Sequence, residues 1–112
     1  MSYGSAYSSL FAICKTVKQR DELRARFQKE KPGQGEFTAE QLSESSPLCI
    51  DINFSSSEVS RNLDNYLLEL DRWLYENFNL HLKGHWQLEV DDGDFRCEIA
   101  EGKISDAALN WL

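Results

Sequence analysis

Two imidazoles and three thiols are the side chains best suited to metal ligation or nucleophilic chemistry: His81, His85, Cys14, Cys49 and Cys97. His81 and His85 stand four residues apart in a run that alternates apolar and polar residues. Both are expected on the outer face of one strand, about 13 Å apart at the rise of an extended chain. Unless the strand bends at Gly84, that span is too long for one ion, and no third ligand clusters with them, so no metal site is assigned. The cysteines form no C-x-x-C pair, and their odd number argues against a disulfide framework. They read as thiols of a protein in the reducing cytoplasm. Cys97 is expected to point inward and Cys49 outward, which leaves Cys49 as the one plausible nucleophile, with a histidine as base. Its neighbours Leu48, Ile50 and Asp51 bring no cation to lower its pKa. The chain also lacks a glycine-rich phosphate loop and a Ser-His-Asp set with a recognisable elbow. No catalytic residue and no cofactor are therefore assigned, and the expected class is non-enzymatic.

Carboxylates are the more abundant chemistry. Asp91, Asp92 and Asp94 resemble a hard-cation loop, but the twelve-residue ligand pattern with its closing glutamate is missing, and Asp-Gly is ordinary hairpin-turn chemistry. The formal net charge is −7. Residues 15–31 hold seven cations against three carboxylates, a net of +4 that leaves the remainder at −11. A protein so divided repels nucleic acid over most of its surface and attracts basic partners within about one Debye length. The residues expected to carry such docking are Asp64, Glu69, Asp71 and Glu76 on a helix, with Glu89, Asp91, Asp92 and Asp94 on a hairpin. The alternative is a nucleic-acid-binding regulator that grips phosphates with Arg20, Arg24 and Lys29 of the first helix; only Phe27 lies among them to stack on a base.

The elements that must position these groups follow from periodicity. Between Ser55 and Phe78 the apolar residues Val59, Leu63, Tyr66, Leu67, Leu70, Trp73, Leu74 and Phe78 recur at steps of three and four, which predicts one long amphipathic helix. Ser55 and Glu58 have capping-box spacing at its start. Leu48 to Phe54 alternates strictly and predicts a strand. Leu82 to Val90 and Phe95 to Ile99 predict a hairpin about Asp91–Asp94. Earlier in the chain, Tyr7, Leu10, Phe11, Cys14 and Val17 share one face of a helix that can run on to Phe27, although 10–17 also fits a short strand. The helical reading is preferred, and Asp21–Glu30 is helical under both, stopped by Pro32-Gly33. Thr38 to Leu42 suggests a short turn of helix. Glu101-Gly102-Lys103 suggests a turn, and Ser105 the cap of a terminal helix carrying Ala107, Ala108, Leu109 and Trp111, with an edge strand at 103–105 as the other option.

The expected whole is one domain, residues 1–112, of the α+β class. It is a small antiparallel sheet of about three or four strands, one face covered by the long helix and an N-terminal helix. The longest apolar run, Leu10 to Cys14, is far too short to cross a bilayer, and the first ten residues lack the basic start of a secretory signal. Small, acidic and without catalytic parts, the chain is expected to be a cytoplasmic inhibitor that docks on a basic protein. An immunity protein of a nuclease toxin, or a phage- or plasmid-type anti-defence protein covering a nucleic-acid-binding surface, fits that description.

Overall fold

The computed structural model describes residues 5–42, 44–55, 62–90 and 93–108. In chain order these form β1 (Ser5–Ile13), α1 (Val17–Glu30), β2 (Phe37–Glu40), β3 (Cys49–Phe54), α2 (Leu63–Phe78), β4 (Lys83–Val90), β5 (Gly93–Ala100) and β6 (Lys103–Ala108). The strands make a single sheet of six in the order β2-β3-β1-β4-β5-β6, antiparallel at every junction. The class is α+β as expected, but the sheet has six strands and not three or four. Through β4 the chain is a split β-α-β repeated twice: β1 and β2 flank β3, while β3 and β4 flank β1. The last two strands continue from β4 as a meander.

Residues 10–13, preferred as helix in the sequence, are the end of β1, and the helix begins at Val17. Thr16 caps it by accepting from the Gln19 amide at 3.0 Å, while the Gln19 side chain accepts from the Lys15 amide at 2.8 Å. The first bond satisfies a donor that the first turn leaves without a partner, and the second ties the residue before the cap to the helix. The helix stops at Lys31, whose left-handed φ of 48° turns the chain into Pro32-Gly33. Thr38 to Glu40 belong to a short strand and not to a helical turn. The terminal segment is likewise strand as far as Ala108, with residues 109–112 outside those described. α2 spans Leu63–Phe78, and residues 56–61 of the expected helix lie outside those described. Of the proposed cap, Glu58 is outside the described residues, while the Ser55 amide donates to the Glu36 carbonyl at 2.8 Å.

Alternation decides what the sheet buries. Leu10, Ala12, Ile50, Ile52, Leu82, Trp86, Cys97 and Ile99 join Leu23 and Phe27 of α1 and Leu63, Leu67, Leu70, Leu74 and Phe78 of α2 in one hydrophobic core. The intervening residues Ser9, Lys83, His85, Glu89, Arg96 and Glu98 are exposed. Tyr7 and Ile13 are exposed as well, so the outward side of β1 is not uniformly polar. Gly84 has a φ of +124°, and a Cβ there would lie 2.1 Å from the Ser9 carbonyl oxygen, so the β1–β4 pair closes only around glycine.

Where β1 and β3 part, side chains complete the ladder. Their backbone pairing runs from Ile13↔Cys49 to Phe11↔Asp51. Beyond it the Asn53 carboxamide oxygen accepts from the Leu10 amide at 3.1 Å and from the Ser8 hydroxyl at 2.8 Å. The Phe54 amide in turn donates to the Ser8 hydroxyl at 3.3 Å.

Candidate functional site: the outer face of the long helix

α2 turns a mixed stripe to solvent. At 100° per residue, Asp64, Tyr75, Leu68, Asn79, Arg72, Asn65, Glu76 and Glu69 follow one another round the exposed side of the helix. All of them are exposed. Leu68, at 37% exposure, and Tyr75, at 52%, are large apolar groups left in water, seven residues apart and so two turns along the same side. Carboxylates stand on both flanks, and one cation, Arg72, lies between. Glu69 is held at 3.0 Å by the Gln34 amide nitrogen.

The stripe runs into a shallow cleft of about 440 Å³ between the end of α2 and the start of α1, lined by Glu22, Lys18, Tyr75, Glu76 and Asn79. The cleft is mixed in charge: Glu22, Glu76 and the C-terminal end of α2 bring negative charge, while Lys18 and the N-terminal end of α1 bring positive charge.

Asp71 is not on this face. The sequence places it with the wet residues, but it is only 5% exposed. Its position at the border of the buried stripe lets the segment leading into β4 fold over it. The Leu82 amide donates to its Oδ1 at 2.8 Å, and His81 Nδ1 lies 3.2 Å from both of its oxygens. Tyr75 stacks on the His81 ring, centroids 4.9 Å apart and planes at 21°. The carboxylate thus fixes the loop between α2 and β4, and the imidazole in turn steadies the exposed tyrosine. No sequence signal marked this set, because its members come from two elements that only the fold joins.

The other expected acidic residues are divided. Glu89 is exposed on the outward side of β4, away from the α2 stripe. Asp91 and Asp92 lie outside the described residues, as does the side chain of Asp94, although Val90↔Gly93 pairing fixes a two-residue connection at 91–92. The expected acidic surface is therefore not one continuous patch of all eight residues. Its helical part, Asp64, Glu69 and Glu76, is what the fold brings together.

The basic stripe of α1 is also taken apart. Arg20 donates to the Pro47 carbonyl at 2.7 Å and pairs with Asp21 at 3.0 Å. Arg26 binds Glu30 at 2.6 Å and Asn77 at 2.9 Å and lies over the Trp73 and Phe78 rings. The Arg26 hydrogen bond, helped by one from the Trp73 indole, holds the Glu30 carboxyl below its usual range. Arg24 is partly buried, and only Lys29 of the three proposed phosphate contacts is fully exposed. Both of these ion pairs are local to α1.

The thiols are poorly placed for attack. Burial pushes Cys14 up to about 11, with Cys49 adding to the shift and Arg20 opposing it. Cys49 is half-buried, and burial first and Asp51 second raise its pKa too. His85 is exposed on β4, while His81 is occupied by Asp71. Among the described residues, no three His, Cys, Asp or Glu side chains are gathered to hold a metal, and no helix is long and apolar enough to cross a membrane. Compared with known protein families, curated proteins and solved structures, the chain matches none.

Proposed function

We propose that this chain is a small non-enzymatic binding protein that docks on a basic protein through the outer face of α2. The observation that carries the reading is the pairing of exposed Leu68 and Tyr75 with Asp64, Glu69 and Glu76 on one side of a helix whose opposite side is anchored in the core. Apolar anchors ringed by charge are what a specific interface needs: the carboxylates steer the encounter, and the desolvated aromatic sets the residence time. The reading takes both helices to lie on one face of the sheet, which their shared core supports. Its finer form is an inhibitor, of the kind represented by immunity proteins and phage- or plasmid-borne anti-defence proteins, acting in the cytoplasm. A partner that normally binds nucleic acid offers the cationic surface this face complements.

The test is affinity capture from the native host at low and high salt with the natural protein, the double variant Glu69→Lys with Glu76→Lys, and Tyr75→Ala. One basic protein held at low salt, released at high salt and lost by both variants supports the reading. Retention by both variants refutes it. Salt-sensitive gel shifts of unrelated DNA or RNA, abolished by Lys29→Gln and Arg24→Gln, transfer the role to α1.

A further inference from the structure

Another cleft shares no lining residue with the first and belongs to no part of the α2 face. About 560 Å³ in volume, it runs between α1 and the edge strand β2. Arg24, Phe27, Gln28 and Lys31 form one wall, and Phe37 through Leu42 form the other. Both the core-facing Phe37 and Ala39 and the outward-facing Thr38 and Glu40 line it. A cleft touched by both sets follows the edge of the strand and not one of its faces.

The edge carries unused backbone groups. The Ser55 amide bonds the Glu36 carbonyl, and the register continues Phe37↔Phe54, Thr38↔Asn53, Ala39↔Ile52 and Glu40↔Asp51. In an antiparallel ladder the rungs alternate, so Glu36, Thr38 and Glu40 point their peptide groups at β3, while Phe37 and Ala39 point theirs off the sheet. Beside them Arg24 Nε is buried with no hydrogen-bond partner, a donor that the fold leaves unsatisfied. Lys31 adds a second positive charge to the same wall, above the apolar surface of Phe27, Phe37 and exposed Leu42.

We infer that β2 takes up an extended acidic peptide as a seventh strand. The peptide backbone pairs with Phe37 and Ala39, one apolar side chain enters the cleft, and a carboxylate two residues away, on the same face of the added strand, meets Arg24 and Lys31. Main-chain pairing supplies affinity and the alternate side chains supply selectivity, the usual division in strand addition. The charge of the helical wall chooses an acidic peptide over a basic one.

The probe is an acetylated, amidated hexapeptide, Val-Thr-Glu-Thr-Val-Thr, which sets Val and Glu on one face and Thr on the other, titrated into the full chain and followed by amide shifts and hydrogen exchange. At saturation the Phe37 and Ala39 amides are expected to exchange at least tenfold more slowly, and Arg24→Gln with Lys31→Gln to weaken binding by about tenfold, the worth of one charge-assisted hydrogen bond. Glu69→Lys with Glu76→Lys on α2 is expected to leave it unchanged, which separates this site from the proposed docking face. Two N-methylated peptides, blocked at odd or at even backbone nitrogens, test the pairing itself: one must bind and the other must not. Equal binding of both shows a simple carboxylate pocket and overturns the inference. So do equal binding of a Lys-for-Glu peptide, shifts confined to α2, absence of binding, or protection of Phe37 and Ala39 that depends on protein concentration alone, which assigns the edge to a second copy of the chain.

Discussion

The two helices are held by different physics. α2 buries Leu63, Leu67, Leu70, Leu74 and Phe78 along one side, and with them the carboxylate of Asp71. α1 buries only Leu23 and Phe27, and much of its attachment is polar: Gln19 donates to the Phe78 carbonyl at 2.9 Å, Arg26 to Asn77 at 2.9 Å, and Glu30 receives the Trp73 indole at 3.2 Å. One helix is a pillar of the core, and the other leans on it through exposed hydrogen bonds. A binding face placed on the pillar stays rigid, whereas the cleft beside α1 is bounded by the element with less buried surface, the kind of element that opens first.

The comparison is sharpest in the core. Leu70→Ala, which empties a fully buried position of α2, is expected to cost about 2–5 kcal/mol in urea denaturation. Leu68→Ala on the outer stripe is expected to stay within about 0.5 kcal/mol. Similar losses at both positions would erase the distinction between the two sides of α2. Next comes Asp71→Ala, expected to cost about 1–3 kcal/mol because the buried Leu82 amide loses its acceptor. Asp71→Asn keeps a carbonyl oxygen for that amide and should cost less. A polar cap matters more to a lightly anchored helix, so Thr16→Ala should lower stability by about 1 kcal/mol, with the amides of the first turn of α1 exchanging faster and those of α2 unchanged.

The smallest effect at neutral pH is at Cys14, in the short link between β1 and α1. Its folded pKa of about 11 lies above the ordinary 9.0, because burial disfavours the thiolate. Folding therefore binds the proton more tightly than the unfolded chain does. The benefit is complete below pH 9 and is lost as pH climbs from about 9 to 11. Melting temperatures measured across that window should fall more steeply in the natural protein than in Cys14→Ala, and alkylation of Cys14 at pH 8 should be much slower than that of a free thiol. Parallel melting curves would show that the thiol is not sheltered.

The same contrast explains what could be read from the residues alone. α2 was legible because nothing but a helix aligns Leu63, Leu67, Leu70, Leu74 and Phe78. β3 and the β4–β5 hairpin were legible because Ile50, Ile52, Leu82 and Trp86 alternate with polar neighbours. β1 was not, because Phe11 and Ile13 put apolar side chains on its outward side and spoil the period of two, leaving a pattern that a helix fits equally well. β2 has only four residues, too few for a period to emerge. β6 has Ile104 as its one partly buried apolar residue among the described side chains, and pairs by register with β5. The turn before it was visible in Gly102, and the structure gives Glu101 and Gly102 φ values of 52° and 76°, as a primed hairpin turn demands. On the site, Asp64, Glu69 and Glu76 followed from helical arithmetic. The burial of Asp71 did not, since it depends on His81 and Leu82 arriving from another segment.

Ser8 and Asn53 give the sheet a seam. Past Phe11 the central strand is joined to β4 by peptide groups but to β3 by a hydroxyl and a carboxamide, so β2 and β3 form a small panel hung from the last residues of β1, and β4, β5 and β6 form a larger one. Two short polar side chains span the gap between them, and neither can be exchanged for an apolar residue without leaving Leu10 or Phe54 with an unanswered amide. The rim of the small panel is β2, and beyond Phe11 its polar link to the large one runs through those two side chains.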